Sequence, residues 1–257
     1  MIEREGDVSA DLVLSTIDGP IARLTLNDPD RANVLSMAMM DALGNALATA
    51  ASRDEVRVVV LGAAGRIFCA GHDLGELVGE PRPAPDGLFE ACGALMMAIG
   101  ACRAPVIARV QGAAVAAGCQ LVASCDLAYA VETAKFAVSG INLGLFCSTP
   151  GVALGRAVGR KAAMELLLTG KTIDARRAAE LGLINQAVPA TDLDATVDAA
   201  ARLIAGKPAE AIALGKAAFR RQIEAPVSEA YAIAASAMVE NVAFDSAQAG
   251  IRDFLAR

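Results

Sequence analysis

Two short segments, each rich in residues with almost no side chain, constrain this chain more than any other feature. The first is Arg66-Ile67-Phe68-Cys69-Ala70-Gly71-His72-Asp73-Leu74. The second is Ala113-Ala114-Val115-Ala116-Ala117-Gly118-Cys119-Gln120-Leu121, continuing to Ser124-Cys125-Asp126. In each, an apolar strand pattern gives way to a helix pattern across Ala and Gly. A strand-to-helix turn leaves the first backbone N–H groups of the helix without internal acceptors, free to meet a negative oxygen. Two such donors from separate turns make an oxyanion hole, which stabilises an enolate or a tetrahedral anion. The pattern specifies an intermediate more closely than it specifies a reaction.

The rest of the chain narrows the setting. With 257 residues and 55% hydrophobic content, it is long enough for one large domain or two small ones around a substantial core. No apolar run reaches the roughly 20 residues that span a bilayer. Met1-Ile2-Glu3-Arg4-Glu5-Gly6-Asp7 carries acids and no apolar stretch, so it does not read as a secretory signal. A net charge of −6 argues against nucleic acid as the main partner. The six cysteines show no CxxC spacing and sit mostly in apolar contexts, which reads as buried thiols in a reducing, cytoplasmic setting. A single histidine excludes a metal site built from several imidazoles, and no metal is expected.

Along the chain, residues 12–17 and 21–26 flank Asp18-Gly19-Pro20 as a hairpin, followed by a turn at Asn27-Asp28-Pro29-Asp30 with Asn33 in the loop beyond. A helix is predicted over 37–51. An apolar run at 56–61 reads as a strand covered on both faces. Gly79 to Gly87 holds three prolines and reads as a mobile loop, followed by a helix over 88–101 and a strand over 105–110. Strands over 127–130 and 135–138 precede a loop from Ser139 to Gly151. Helices are expected over 152–158, 160–168, 175–181, 192–205, 208–224 and 226–243. The shift to nearly continuous helix near residue 190 divides the chain into a core over 1–190 and a helical segment over 191–257. The β/α alternation before that point argues for an α/β class.

These residues, taken in order, resemble the crotonase superfamily, the enoyl-CoA hydratase/isomerase group, over nearly the whole chain. The matches are Asn33-Val34-Leu35, Phe68 to Leu74, Pro105 to Gly112, Gly118-Cys119-Gln120-Leu121 through Cys125-Asp126, Ile141-Asn142-Leu143-Gly144, and Leu168-Thr169-Gly170 through Ala178 to Leu181-Gly182-Leu183. Gly144 to Val152 is similar to the enoyl-CoA hydratase domain-containing protein 3 subgroup. The resemblance implies a spiral of ββα units with a C-terminal helical segment used in trimerisation, often as a hexamer of two trimers. It implies an acyl-CoA thioester as the partner, with coenzyme A carried as part of the substrate and no separate cofactor. The thioester oxygen would sit between the N–H groups of His72 and Ala117, where Ala117 stands in place of a usual glycine. Ala70 and Leu74 would line the path of the adenine and pantetheine, and Arg66 would meet a CoA phosphate. Phe254 and Arg257 match positions where a neighbouring subunit closes over the nucleotide.

The chain departs from that pattern where the family's hydratases carry two glutamates that activate water. The first position is Gln120 and the second is Gly140. A neutral amide cannot take a proton near pH 7, and losing a general base removes a factor of about 10²–10⁴. His72 is the obvious replacement, because an imidazole titrates near neutrality without help. Three readings stay open: a nominal hydratase, an acyl-CoA decarboxylase or other enolate-forming enzyme using His72, and a non-catalytic acyl-CoA-binding protein. An oligomeric scaffold without CoA affinity is a further possibility. Asp73 reads as a helix cap, Asp126 as structural, Cys119 and Cys147 as inert packing, Ser148 and Asn142 as pocket candidates, and Glu90 as part of a solvated helix face.

Overall fold

The computed structural model describes residues 11–79, 81 and 84–257. An antiparallel hairpin, β1 (Val13–Asp18) and β2 (Ile21–Leu26), leads into α1 (Met37–Ala51). Three strand pairs follow, each ending in helix. β3 (Val58–Ala63) and β4 (Ile67–Cys69) precede α2 (Ala84–Ala101); β5 (Val106–Val110) and β6 (Ala113–Val115) precede α3 (Ala117–Ser124). β7 (Leu127–Val131) and β8 (Lys135–Ala137) precede α4 (Ser148–Ala157) and α5 (Arg160–Thr169). β9 (Ile173–Asp174), α6 (Ala175–Leu181), β10 (Gln186–Val188) and α7 (Leu193–Ala205) come next, then α8 (Ala209–Gln222), α9 (Val227–Val242) and α10 (Asp245–Leu255).

The first strand of each pair joins a six-stranded sheet, β1-β2-β3-β5-β7-β10. The second joins a four-stranded sheet, β4-β6-β8-β9. The pairings among β3 to β8 are all parallel, while β9 adds to β8 antiparallel, so each ββα unit steps sideways by one strand and the chain winds as a spiral. β3 is buried along its whole length, as expected of a strand with both faces covered. α1 opens on Ser36, whose hydroxyl accepts the Met39 N–H at 3.1 Å. The helix buries Met39, Met40, Leu43, Leu47 and Ala50, one stripe at helical spacing. α7 packs against β2, β3, β5 and β7 through Leu193, Val197 and Ala201, whereas α8, α9 and α10 bury no residue fully in this chain. α8 is nevertheless anchored: the largely buried Lys216 ammonium donates to Asp126 and to the Ile99 and Ala104 carbonyls.

Four expectations are revised. The small sheet is additional except for β8, which matches the strand expected over 135–138, because β4, β6 and β9 are only two or three residues long and carry no periodicity. α2 begins at Ala84, so Pro85 lies in its first turn, where a missing N–H costs nothing. The expected loop over 79–87 is therefore shorter, and residues 80, 82 and 83 lie outside the described residues. The segment from Ser139 is not all loop: Ser139–Leu143 is a 3₁₀ turn and helix resumes at Ser148.

Candidate active site

Both small-residue turns lie at the ends of small-sheet strands, and glycine lets them meet. A side chain at 112 would stand 1.8 Å from the Arg66 carbonyl oxygen, and one at 118 would stand 2.2 Å from that of Cys69. Gly71, at φ 104, comes up against Ala116 and the Ala117 nitrogen; a Cβ there would lie 3.0 Å from the Ala116 Cβ and 3.4 Å from that nitrogen. Leu35 and His72 form a parallel bridge in which the Leu35 N–H donates to Gly71 O and the Asp73 N–H donates to Leu35 O. That geometry turns the His72 N–H away from Leu35. Ala117 is the first residue of α3, so its N–H has no acceptor within the helix. Neither N–H has a backbone acceptor among the described residues. The two turns thus lie against each other, Gly71 facing Ala116 and the Ala117 nitrogen.

Asn33 fixes the first turn from behind. It is fully buried at φ 52, its Oδ1 accepts the Asp28 N–H, and its Nδ2 donates to Ala64 O (2.9 Å) and Ile67 O (2.8 Å). The Ala70 N–H donates to Ala32 O at 3.0 Å. Asp73 accepts the Gly75 N–H and pairs with Arg31, the capping role expected of it. Asn142 lies against the turn at Gly170, its Nδ2 directed to Gly170 O. Ser148 starts α4, its hydroxyl directed to Phe146 O. Glu90 is exposed on α2, and Asp126 is structural, bonded to Val106 N–H and Lys216.

α2 closes over the pair of turns. The His72 ring sits edge-on to Phe89, with centroids 5.3 Å apart at 79°. One helical turn on, the Cys92 thiol donates to Gln120 Oε1 at 3.7 Å. Burial pushes the His72 imidazole down to about 4 from an ordinary 6.5, and its Nε2 is sealed without a partner. The expectation that His72 titrates near neutrality is therefore corrected: at pH 7 it is neutral. Gln120 is 4% exposed on α3, on the same face as Ala117. At the second missing-acid position, a side chain on Gly140 would stand 2.4 Å from Leu145 O and 2.8 Å from Cys147 Sγ, and the Gly140 N–H donates to that sulfur at 3.3 Å. The loop has closed over the space an acid would need.

Burial pushes the Cys69 and Cys119 thiols up to about 12 and Cys92 up to about 11, so all three stay protonated at neutral pH. All six cysteines are free. Among the described residues no cluster of His, Cys, Asp and Glu is arranged to hold a metal, and no helix is long and apolar enough to cross a membrane. Arg66, Ala70 and Leu74 lie exposed on the rim of the first turn. Phe254 and Arg257 are exposed at the far end of the chain, where α10 packs against α9. Sequence reasoning missed Phe89, Cys92 and the strained Ala116, which takes φ 49 and ψ −115 without being glycine. Residue type gives no signal for any of the three.

A family model described as enoyl-CoA hydratase/isomerase matches residues 16–257. The human enoyl-CoA hydratase domain-containing protein 3, mitochondrial, is 43% identical over 93% of this chain and 79% of its own length, and the rat protein of that name is 43% identical over 91% and 79%. A solved structure described as an enoyl-CoA hydratase from Mycobacterium smegmatis superposes with a TM-score of 0.93 at 52% identity, covering 95% of this chain and 96% of that one. The crystal structure of the human domain-containing protein 3 gives 0.92 at 41%, covering 95% and 97%. The expectation of a cytoplasmic location is overturned by these names: the domain-containing protein 3 relatives from rat, mouse, zebrafish and human are all named mitochondrial. With a family match over nearly its full length, the fold of the family's solved members and over 40% identity to several relatives, the chain belongs to the enoyl-CoA hydratase/isomerase family.

Proposed function

We propose that this protein processes acyl-CoA thioesters by stabilising a thioester enolate between the His72 and Ala117 N–H groups, and that it does not hydrate enoyl-CoA by the two-glutamate route. The observation that carries this reading is the approach of the Gly71–His72 turn to the Ala116–Ala117 turn, with both N–H groups lacking a backbone acceptor among the described residues. A pair of donors fixed in a buried setting favours a developing oxyanion because no reorganisation is needed when charge appears. Gln120 and Gly140 supply no base, and the neutral His72 is a weak one. An enolate formed by departure of CO₂ needs no base on the protein, which favours decarboxylation or a related enolate-forming reaction over hydration. In this reading the exposed Arg66, Ala70 and Leu74 meet the CoA portion, and a neighbouring copy in a trimer or a hexamer of two trimers contributes Phe254 and Arg257.

The test is product formation from crotonoyl-CoA and from a panel of carboxylated acyl-CoAs, at high concentration of the full chain. Release of CO₂ from a carboxylated substrate, with hydration at or near background, supports the reading. Efficient hydration of crotonoyl-CoA would overturn it. Tight acyl-CoA binding with silence on every substrate would move the assignment to a non-catalytic acyl-CoA-binding protein.

A further inference from the structure

The two positions where water-activating acids would stand are each tied to a cysteine. Cys92 lies on the face of α2 that also carries Phe89, and its thiol takes the Gln120 Oε1. Cys147 takes the Gly140 N–H and occupies the space in front of it. These contacts have different consequences. At 140 the sulfur and the Leu145 carbonyl fill the position. At 120 the thiol satisfies the acceptor end of the amide and leaves the donor end. Gln120 Nε2 has no partner among the described residues and is not one of the sealed polar atoms, so it remains reachable by a ligand.

Resting on the acyl-CoA reading above, we infer that Cys92 is a positioning residue that orients Gln120 to donate to a second oxygen of the acyl group, so that the site prefers acyl-CoAs with a carbonyl or carboxylate oxygen at C3. Gln120 lies one helical turn beyond Ala117 on the same face of α3, which places its amide a few ångströms along the acyl group from the thioester oxygen. A wall that offers only a donor discriminates by what it leaves unpaired. A simple alkyl chain strands the buried amide, whereas a second oxygen satisfies it. No charge opposes an anionic acyl group here, since His72 and the surrounding thiols are neutral at pH 7. Of the neighbouring carboxylates, Asp73 is bound to Arg31 and Glu90 faces solvent.

The experiment is calorimetric titration of the full chain with acetoacetyl-CoA, malonyl-CoA and butanoyl-CoA, repeated on Gln120→Leu, Cys92→Ala and Cys92→Ser. The wild type is expected to bind at least one of the two oxygenated ligands about tenfold more tightly than butanoyl-CoA, the worth of one well-made hydrogen bond from an otherwise stranded amide. Preference for both identifies the C3 oxygen as what is read, and preference for malonyl-CoA alone identifies its charge. Gln120→Leu should bring the ratio to about one. Cys92→Ala should lower it and Cys92→Ser, which keeps a donor, should restore it, a rescue that a merely packing role would not give. Equal affinity for all three ligands in the wild type, or an unchanged ratio in Gln120→Leu, overturns the inference while leaving the acyl-CoA reading intact. No binding of butanoyl-CoA or either of the others would instead overturn the acyl-CoA reading itself.

Discussion

Gly140 shows how much one residue decides. Its missing side chain is not an open gap that an acid could re-enter, because the Leu145 carbonyl and the Cys147 sulfur already lie within 2.8 Å of where a Cβ would be. Gly140→Glu should therefore destabilise the protein by about 1–3 kcal/mol through overpacking. The double variant with Gln120→Glu should still fail to hydrate crotonoyl-CoA efficiently. Thermal melts and a hydration assay check both, and a stable, active double variant would refute the steric argument. His72 carries a second prediction. Its folded pKa, held at about 4 by burial, lies below the ordinary 6.5, so the unfolded chain binds the proton first as pH falls. The neutral ring is fully tolerated above about 6.5, and its contribution is lost as pH drops from there to about 4. The loss amounts to about 2–3 kcal/mol, reduced by the part of the ring that meets solvent. Denaturant titrations across that window should show the wild type losing stability relative to His72→Phe, and parallel curves would refute the assignment.

At the scale of elements, the turn from β6 into α3 is the strained one. Ala116 takes φ 49 and ψ −115, a combination suited to glycine, so it stores about 1–3 kcal/mol. Ala116→Gly relieves that strain and loses about 0.5–1 kcal/mol in chain entropy. A net gain of about 1 kcal/mol is expected, raising Tm by about 2–4 °C for a chain of this size. A lower melting temperature would mean that the alanine methyl against Gly71 matters more than the backbone strain. Most of the large sheet was legible in the sequence, because Val58–Leu61 and Val106–Val110 read as buried strands without help. In the small sheet β8 was expected, over 135–138, but β4, β6 and β9 were not, since two or three residues cannot show a period and their pairing is wholly long-range. The start of α2 was hidden by Pro85, which is tolerated in a first turn but, following Pro81 and Pro83, resembles a loop in sequence.

For the molecule as a whole, α8 and α9 leave an apolar groove lined by Phe219, Ile223, Tyr231 and Met238, with Tyr231 75% and Met238 68% exposed in the single chain. Such a surface suits burial against other copies, and it lies in the segment that the family resemblance assigns to trimerisation. Sedimentation of the wild type should give a trimer or hexamer, and Tyr231→Glu with Met238→Glu should shift it toward monomer. A wild-type monomer would refute the assembly.

The sequence by itself determined the α/β class and the two small-residue turns, because these depend on residue size and local order along the chain, and its ordered motifs carried the resemblance to the family and to its spiral fold. It also determined that two acids are replaced, which is a matter of residue identity. Only the tertiary structure decided that the space at Gly140 is closed, that His72 is neutral at pH 7 and that Cys92 holds the Gln120 oxygen. Each depends on what α2 or the loop at Leu145 to Cys147 brings within a few ångströms. Steric exclusion, desolvation and hydrogen bonding act across space between residues far apart in sequence, and no pattern along the chain encodes them.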